Sequence, residues 1–120
     1  MIRLIRDLFD TPGAEPDAEG WATRFCAHQG LAALVMLVLL VGAAPMVALA
    51  MSLIGYAIWE AAQWWPRRSR LLWWDCALDW TAWALTSWAV AWLMQGDTVV
   101  AAACAVSSLI VLAVGIYRRS

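Results

Sequence analysis

The chain has 120 residues, of which 64% are hydrophobic and only 14% charged, with a net charge of −1. Soluble domains carry roughly 25% charged residues, so a water-soluble globular domain is disfavoured and a membrane protein is expected. The near-zero net charge offers no broad basic field for nucleic acid.

Residues 1–10 place Ile2, Ile5, Leu8 and Phe9 on one helical face, with Arg3, Arg6, Asp7 and Asp10 off it. This pattern predicts a short amphipathic helix lying at a membrane surface. The next ten residues, TPGAEPDAEG, are rich in Pro, Gly and acid and read as a linker. The division is therefore 1–20 as surface helix and linker, and 21–120 as one transmembrane bundle. Five acids in the first 20 residues are wrong for the start of a signal peptide. An Ala48-Leu49-Ala50 cleavage-like site lies too deep in the chain, and apolar character continues past it to Trp59.

The first apolar block runs from about Ala22 to Trp65 and carries no charge from Gln29 to Trp59. About 20 residues cross the hydrocarbon core, so the block is too long for one untilted helix. Gly42-Ala43-Ala44-Pro45 offers a turn, since proline is accepted in the first turn of a new helix. Helices over about 22–42 and 45–65 are predicted, with one kinked helix as the rival. Trp64-Trp65-Pro66-Arg67-Arg68-Ser69-Arg70 reads as an interfacial turn. The second block breaks at Gln95-Gly96-Asp97-Thr98, with Asp97 or Thr98 a fair N-cap. Helices over about 71–94 and 98–117 follow. The expected fold is all-α, with four transmembrane helices as two antiparallel hairpins.

All eight arginines fall in the N-terminal stretch, the 66–70 turn and the extreme C-terminus. Four spans put all three places on one side of the bilayer, and the positive-inside rule makes that side cytoplasmic. There is no lysine, and ten tryptophans suit a chain that meets two membrane–water interfaces.

Ionisable groups inside spans are costly and are functional candidates by default. His28, Glu60, Gln63, Asp75 and Asp79 are the polar groups that qualify. His28 lies about fifteen residues before the 43–44 turn and Glu60 about sixteen after it, so an antiparallel hairpin sets them level. Glu60 and Gln63 share a helix face, as do Asp75 and Asp79. Arg24 is one turn from His28, and Arg67, Arg68 and Arg70 lie just beyond the acids. Two accounts stay open. The acids are counter-ions to arginines at a wet interface, or they line a small polar pocket for a headgroup, a proton or a polar ligand.

Cys26, Cys76 and Cys104 form no CxxC pair and read as small apolar residues. Cys26 and His28 are two apart and do not share a helix face, so no metal site and no cofactor are expected. Ala101/Ala105 and Cys104/Ser108 are small-xxx-small pairs that allow close helix packing. Ser107 and Ser108 can bond back to their own helix and need no partner. Trp80, Trp83, Trp88 and Trp92 are expected to fill gaps or face lipid. Gly-rich phosphate loops, GxSxG, HExxH and CxxC signatures are all missing from the sequence, so the expectation leans away from an enzyme.

Glu60-xx-Gln63, then Pro66, Arg68-Ser69, then Asp75 with a polar residue four later, resembles the core motif of VanZ-like membrane proteins. His28 stands where that family has a histidine on an early span. The resemblance covers about 25–95. Asp79 stands where the family usually has Asn, Ala82 or Trp83 where a Gly is expected, and Arg24 where a Lys is usual. The resemblance implies a bacterial envelope protein of the kind linked in some members to teicoplanin resistance. On that reading Glu60 and Asp75 are the main acceptors of the site and His28 the proton partner. Gln63 and Asp79 orient the ligand, and Arg68 holds anionic groups. A second resemblance, in style, is to phage holins, which self-associate in the inner membrane and open it. A third reading is an accessory subunit whose Trp-rich face docks a larger membrane complex. The expected partners are membrane lipid and either further copies or a larger complex, in a bacterial or phage-infected inner membrane with both termini cytoplasmic.

Overall fold

The computed structural model describes residues 17–67 and 73–120, with the side chains of 66, 67 and 73–75 excepted. The expected surface helix over 1–10 and most of the Arg67–Arg70 turn lie outside the described residues. Those that are described form four α-helices and no strand: α1 Ala18–Leu39, α2 Pro45–Arg67, α3 Trp73–Met94 and α4 Thr98–Tyr117.

Local chemistry explains the start of α1 and the two turns, 40–44 and 95–97. α1 starts earlier than the linker reading allowed, because Asp17 caps it and accepts from the Gly20 N–H at 2.7 Å. Residues 18–20 are therefore its first turn rather than linker. Residues 40–44 separate α1 from α2, which begins at Pro45, where a missing N–H costs nothing. The kinked-helix rival is thereby set aside. α3 ends at a tight turn in which the Asp97 N–H bonds to the Trp92 carbonyl at 3.0 Å. Gly96 makes that turn at φ 84°, a left-handed conformation open to glycine without strain. Asp97 then caps α4 by accepting from the Val100 N–H at 3.0 Å.

α1, α2 (to Trp65) and α4 are long and apolar enough to cross a membrane. α3 is as long as α1, at 22 residues, but carries Asp75, Asp79 and six tryptophans. Tryptophan's N–H lowers its hydropathy, although the ring buries as much area as any side chain. Large apolar side chains point outward on α2 and α4, among them Ile54, Ile58, Val106, Leu109 and Ile110. Hydrocarbon is the solvent that accommodates such faces.

α1 and α3 each pack against all three other helices, so they form the middle of the bundle, with α2 and α4 flanking them. Met36 near the end of α1 packs with Ala48 and Leu49 near the start of α2, and with Ala91 of α3. Deeper along the pair, Ala32 packs with Tyr56 and Trp83. At the start of α1, Trp21 and Phe25 stack at 5.2 Å and pack on Ala82 of α3. The Trp21 ring also lies against Gly115 of α4, where any Cβ would run into the indole. Arg119 covers the same ring at 4.8 Å. The start of α1 and the end of α4 thus share one end of the bundle.

On α4, Ala101, Cys104 and Ser108 are buried, but Ala105 is exposed at the edge of a groove shared with Gln29 and Ala89. Cys104/Ser108 is buried as a small-xxx-small pair, whereas Ala105 of the Ala101/Ala105 pair is exposed, because α4 is rotated to set the 101, 104, 108 row inward. Ser107 does bond back to its own helix, donating to the Ala103 carbonyl at 2.8 Å. Ser108 instead takes a partner across the bundle, accepting from the Gln29 amide.

Candidate functional site

Three of the sequence-predicted residues come together from three helices. His28 of α1, Glu60 of α2 and Asp79 of α3 each offer a donor atom within 4.8 Å of one another. His28 is the anchor. Its residue is only 7% exposed, and Nδ1 stands 3.5 Å from Asp79 Oδ1, close enough for an ion pair when the imidazole is protonated. Asp79 is about one-third exposed and Glu60 half-buried, so the cluster is sealed on the α1 side and more open along α2 and α3. Arg24, half-buried one turn before His28, and Glu60 are the charges that act on the imidazole. Tyr56 closes the floor. Its ring meets His28 edge-on at 5.9 Å and stacks flat on Trp83 at 4.1 Å.

Tyr56 and Cys76 belong to the site and were not singled out in the sequence. The Tyr56 hydroxyl and the Cys76 thiol lie beside the Glu60 carboxylate. The hydroxyl nevertheless closes no hydrogen bond of good geometry. Helical spacing could have found both: Tyr56 is one turn before Glu60, and Cys76 one turn before Asp79.

Beneath Tyr56 lies a second polar group. Trp83 Nε1 donates to Ser52 Oγ at 2.9 Å, and Ser52 and Ser87 share a hydrogen bond at 3.0 Å. All three residues are buried. Trp83 is therefore a polar link as well as a gap filler, while Trp80 and Trp88 lie on exposed surface.

The remaining predicted residues are placed as follows. Gln63 is half-buried on α2, one turn beyond Glu60. Asp75 is in α3, but its side chain lies outside the described residues, as does all of Arg68. Cys26 is exposed while His28 is buried, as their spacing requires.

The chemistry of the cluster follows from its unmet valences. Among the described residues, the buried side-chain polar atoms without a hydrogen-bond partner are His28 Nδ1, Tyr56 Oη and Trp64 Nε1. Two of these three belong to this cluster. Unsatisfied polar atoms are expensive away from water, so a native bundle that keeps them has a reason to do so. Two carboxylates and one imidazole also make the site acidic when the imidazole is neutral. With both carboxylates ionised, the site would favour a positively charged group. No metal ligands were expected from the sequence. The tertiary structure nevertheless assembles a histidine nitrogen and two carboxylates at a spacing that could hold an ion.

A groove of about 380 Å³ adjoins the cluster between α1 and α2. It is lined by Leu31, Val35, Leu39, Met51, Ser52, Gly55, Tyr56, Trp59 and Trp83, so Tyr56 belongs both to it and to the polar site. Comparison with protein-family models, with curated proteins and with solved structures finds no match to this chain.

Proposed function

We propose that this chain is a four-span, VanZ-like protein of a bacterial inner membrane that binds the headgroup of a membrane amphiphile. The spans form two antiparallel hairpins with both termini cytoplasmic. The headgroup sits at His28, Glu60 and Asp79, and its tail lies in the adjoining groove. One observation carries this reading: three ionisable side chains from three apolar helices converge within 4.8 Å, and among them the buried His28 Nδ1 makes no hydrogen bond. Counter-ions at a wet interface would not need a buried histidine on the first helix.

The hairpins are supported by the pairing of Met36 with Ala48 and of His28 with Tyr56, and by Trp21 beneath Arg119. α3 is the fourth span on this reading, because it packs against all three other helices and matches α1 in length. The groove holds about the volume at which small-molecule sites begin. Its apolar walls suit an acyl chain, and Tyr56 and Trp59 mark the end nearest Glu60. Half-buried Arg24 beside His28 suits a phosphate oxygen.

A phospholipid carrying a photoreactive diazirine in its acyl chain tests this in native membranes. Labelling should concentrate on Val35, Met51 and Trp59, and should fall several-fold in Glu60→Gln. Labelling spread evenly over lipid-facing residues such as Ile110, and indifferent to Glu60, would sink the proposal. Membrane potential should stay intact when expression is induced. A sudden collapse would favour the holin-like pore former instead.

A further inference from the structure

We propose that the positive charge held at this site is a first-row divalent metal ion, coordinated by His28 Nδ1, Glu60 and Asp79. The inference rests on the headgroup-site reading for its purpose, but on separate observations for its chemistry.

The first is the donor set. A neutral imidazole with two carboxylates is a ligand combination that zinc, iron(II) and manganese accept. Magnesium and calcium prefer all-oxygen shells, so the histidine argues against them. The second is spacing. Ligand atoms about 2.1 Å from a tetrahedral metal stand about 3.4 Å from one another. His28 Nδ1 and Asp79 Oδ1 are already 3.5 Å apart, and the full trio lies within 4.8 Å. Small rotations of the Glu60 side chain cover the difference, because it has three rotatable bonds and is only half-buried.

The third is the state of His28. The residue is 7% exposed, and Nδ1 is buried with no hydrogen-bond partner. A buried imidazole nitrogen that stands 3.5 Å from Asp79 Oδ1 without hydrogen-bonding to it is placed as a metal ligand would be. The helices also explain why the trio is preorganised. Tyr56 wedges edge-on against His28 and is itself clamped flat on Trp83. Trp83 is in turn tied to Ser52 through its indole N–H. The chain of contacts holds the imidazole against rotation from below. Three protein ligands leave coordination positions open, and a phosphate oxygen of the headgroup would fill one of them.

The test uses the full chain in detergent, stripped of metal with a chelator and dialysed. Cobalt(II) is titrated in while its visible d–d absorption is followed, and zinc stoichiometry is read by elemental analysis. We expect saturation at one ion per chain. His28→Gln and Asp79→Asn should each weaken binding at least roughly 10- to 100-fold, the loss that even outer-sphere partners of a metal cause. Cys26→Ser and Cys104→Ser should leave it unchanged. Helicity by circular dichroism shows whether each variant folds, and Glu60→Gln serves if His28→Gln does not.

Absence of saturable binding in the wild type would overturn the inference. So would binding that survives both His28→Gln and Asp79→Asn but is lost with the cysteine changes. Protein that shows no saturable metal binding yet labels with the diazirine lipid in a Glu60-dependent way would overturn the metal and leave the headgroup site standing. Metal binding at one equivalent with no lipid preference would uphold the metal and remove the headgroup.

Discussion

Two polar groups are buried side by side in this bundle, and the Tyr56–Trp83 stack joins them. The lower one, Ser52, Ser87 and Trp83, links its three side chains by hydrogen bonds: the Trp83 N–H has its acceptor, and the two serine hydroxyls share a bond. The upper one, His28, Glu60 and Asp79, brings charge inside, and neither His28 Nδ1 nor the neighbouring Tyr56 hydroxyl makes a hydrogen bond of good geometry. Burial of polarity between apolar helices is therefore not in itself a mark of function. A satisfied group holds helices together, whereas an acidic group with a buried nitrogen that makes no hydrogen bond is the candidate for binding something outside the chain.

That contrast predicts opposite effects on stability. Ser52→Ala removes the acceptor of the Trp83 indole and the partner of Ser87 at once. Hydrogen bonds between membrane helices are worth about 0.6 kcal/mol on average and up to about 1.7 kcal/mol. Equilibrium unfolding in SDS should therefore show a loss near the upper end of that range. Glu60→Gln should do little harm and could add up to about 1 kcal/mol, because it removes one of two neighbouring carboxylates from a water-poor site. A loss as large as that of Ser52→Ala would make the upper group a structural ion-pair network and erase the distinction.

The smallest expected effect on stability is at Ala44, in the exposed turn between α1 and α2. With the three native cysteines replaced, Ala44→Cys should react with an impermeant maleimide from the periplasmic side. Cysteine at Ser120 should react only after the membrane is opened. Protection of Ala44→Cys would break the antiparallel pairing on which the level placement of His28 and Glu60 depends.

The helices were legible because their punctuation is local. Pro45 and Asp97 act on their own neighbours, and apolar length alone marks the spans. Asp17 was missed as a cap because an acidic Pro/Gly stretch reads as linker by composition. The site was half legible. Charge inside a span singled out His28, Glu60 and Asp79. Tyr56 and Cys76 were passed over because each is ordinary in an apolar helix. Only their place one turn from an acid gives them a role. Ser108 looked self-sufficient, since a serine can always bond to its own helix. Its choice of Gln29 depends on how α4 is rotated against α1.

By itself the sequence determined the four long helices and their boundaries to within a few residues, because chain stiffness, capping and hydropathy act over one or two turns. The tertiary structure decided which polar side chains meet. It put Ser52 with Trp83 and left His28 facing two carboxylates. Those outcomes turn on the rotation of each helix about its axis, which is set by packing between helices distant in sequence.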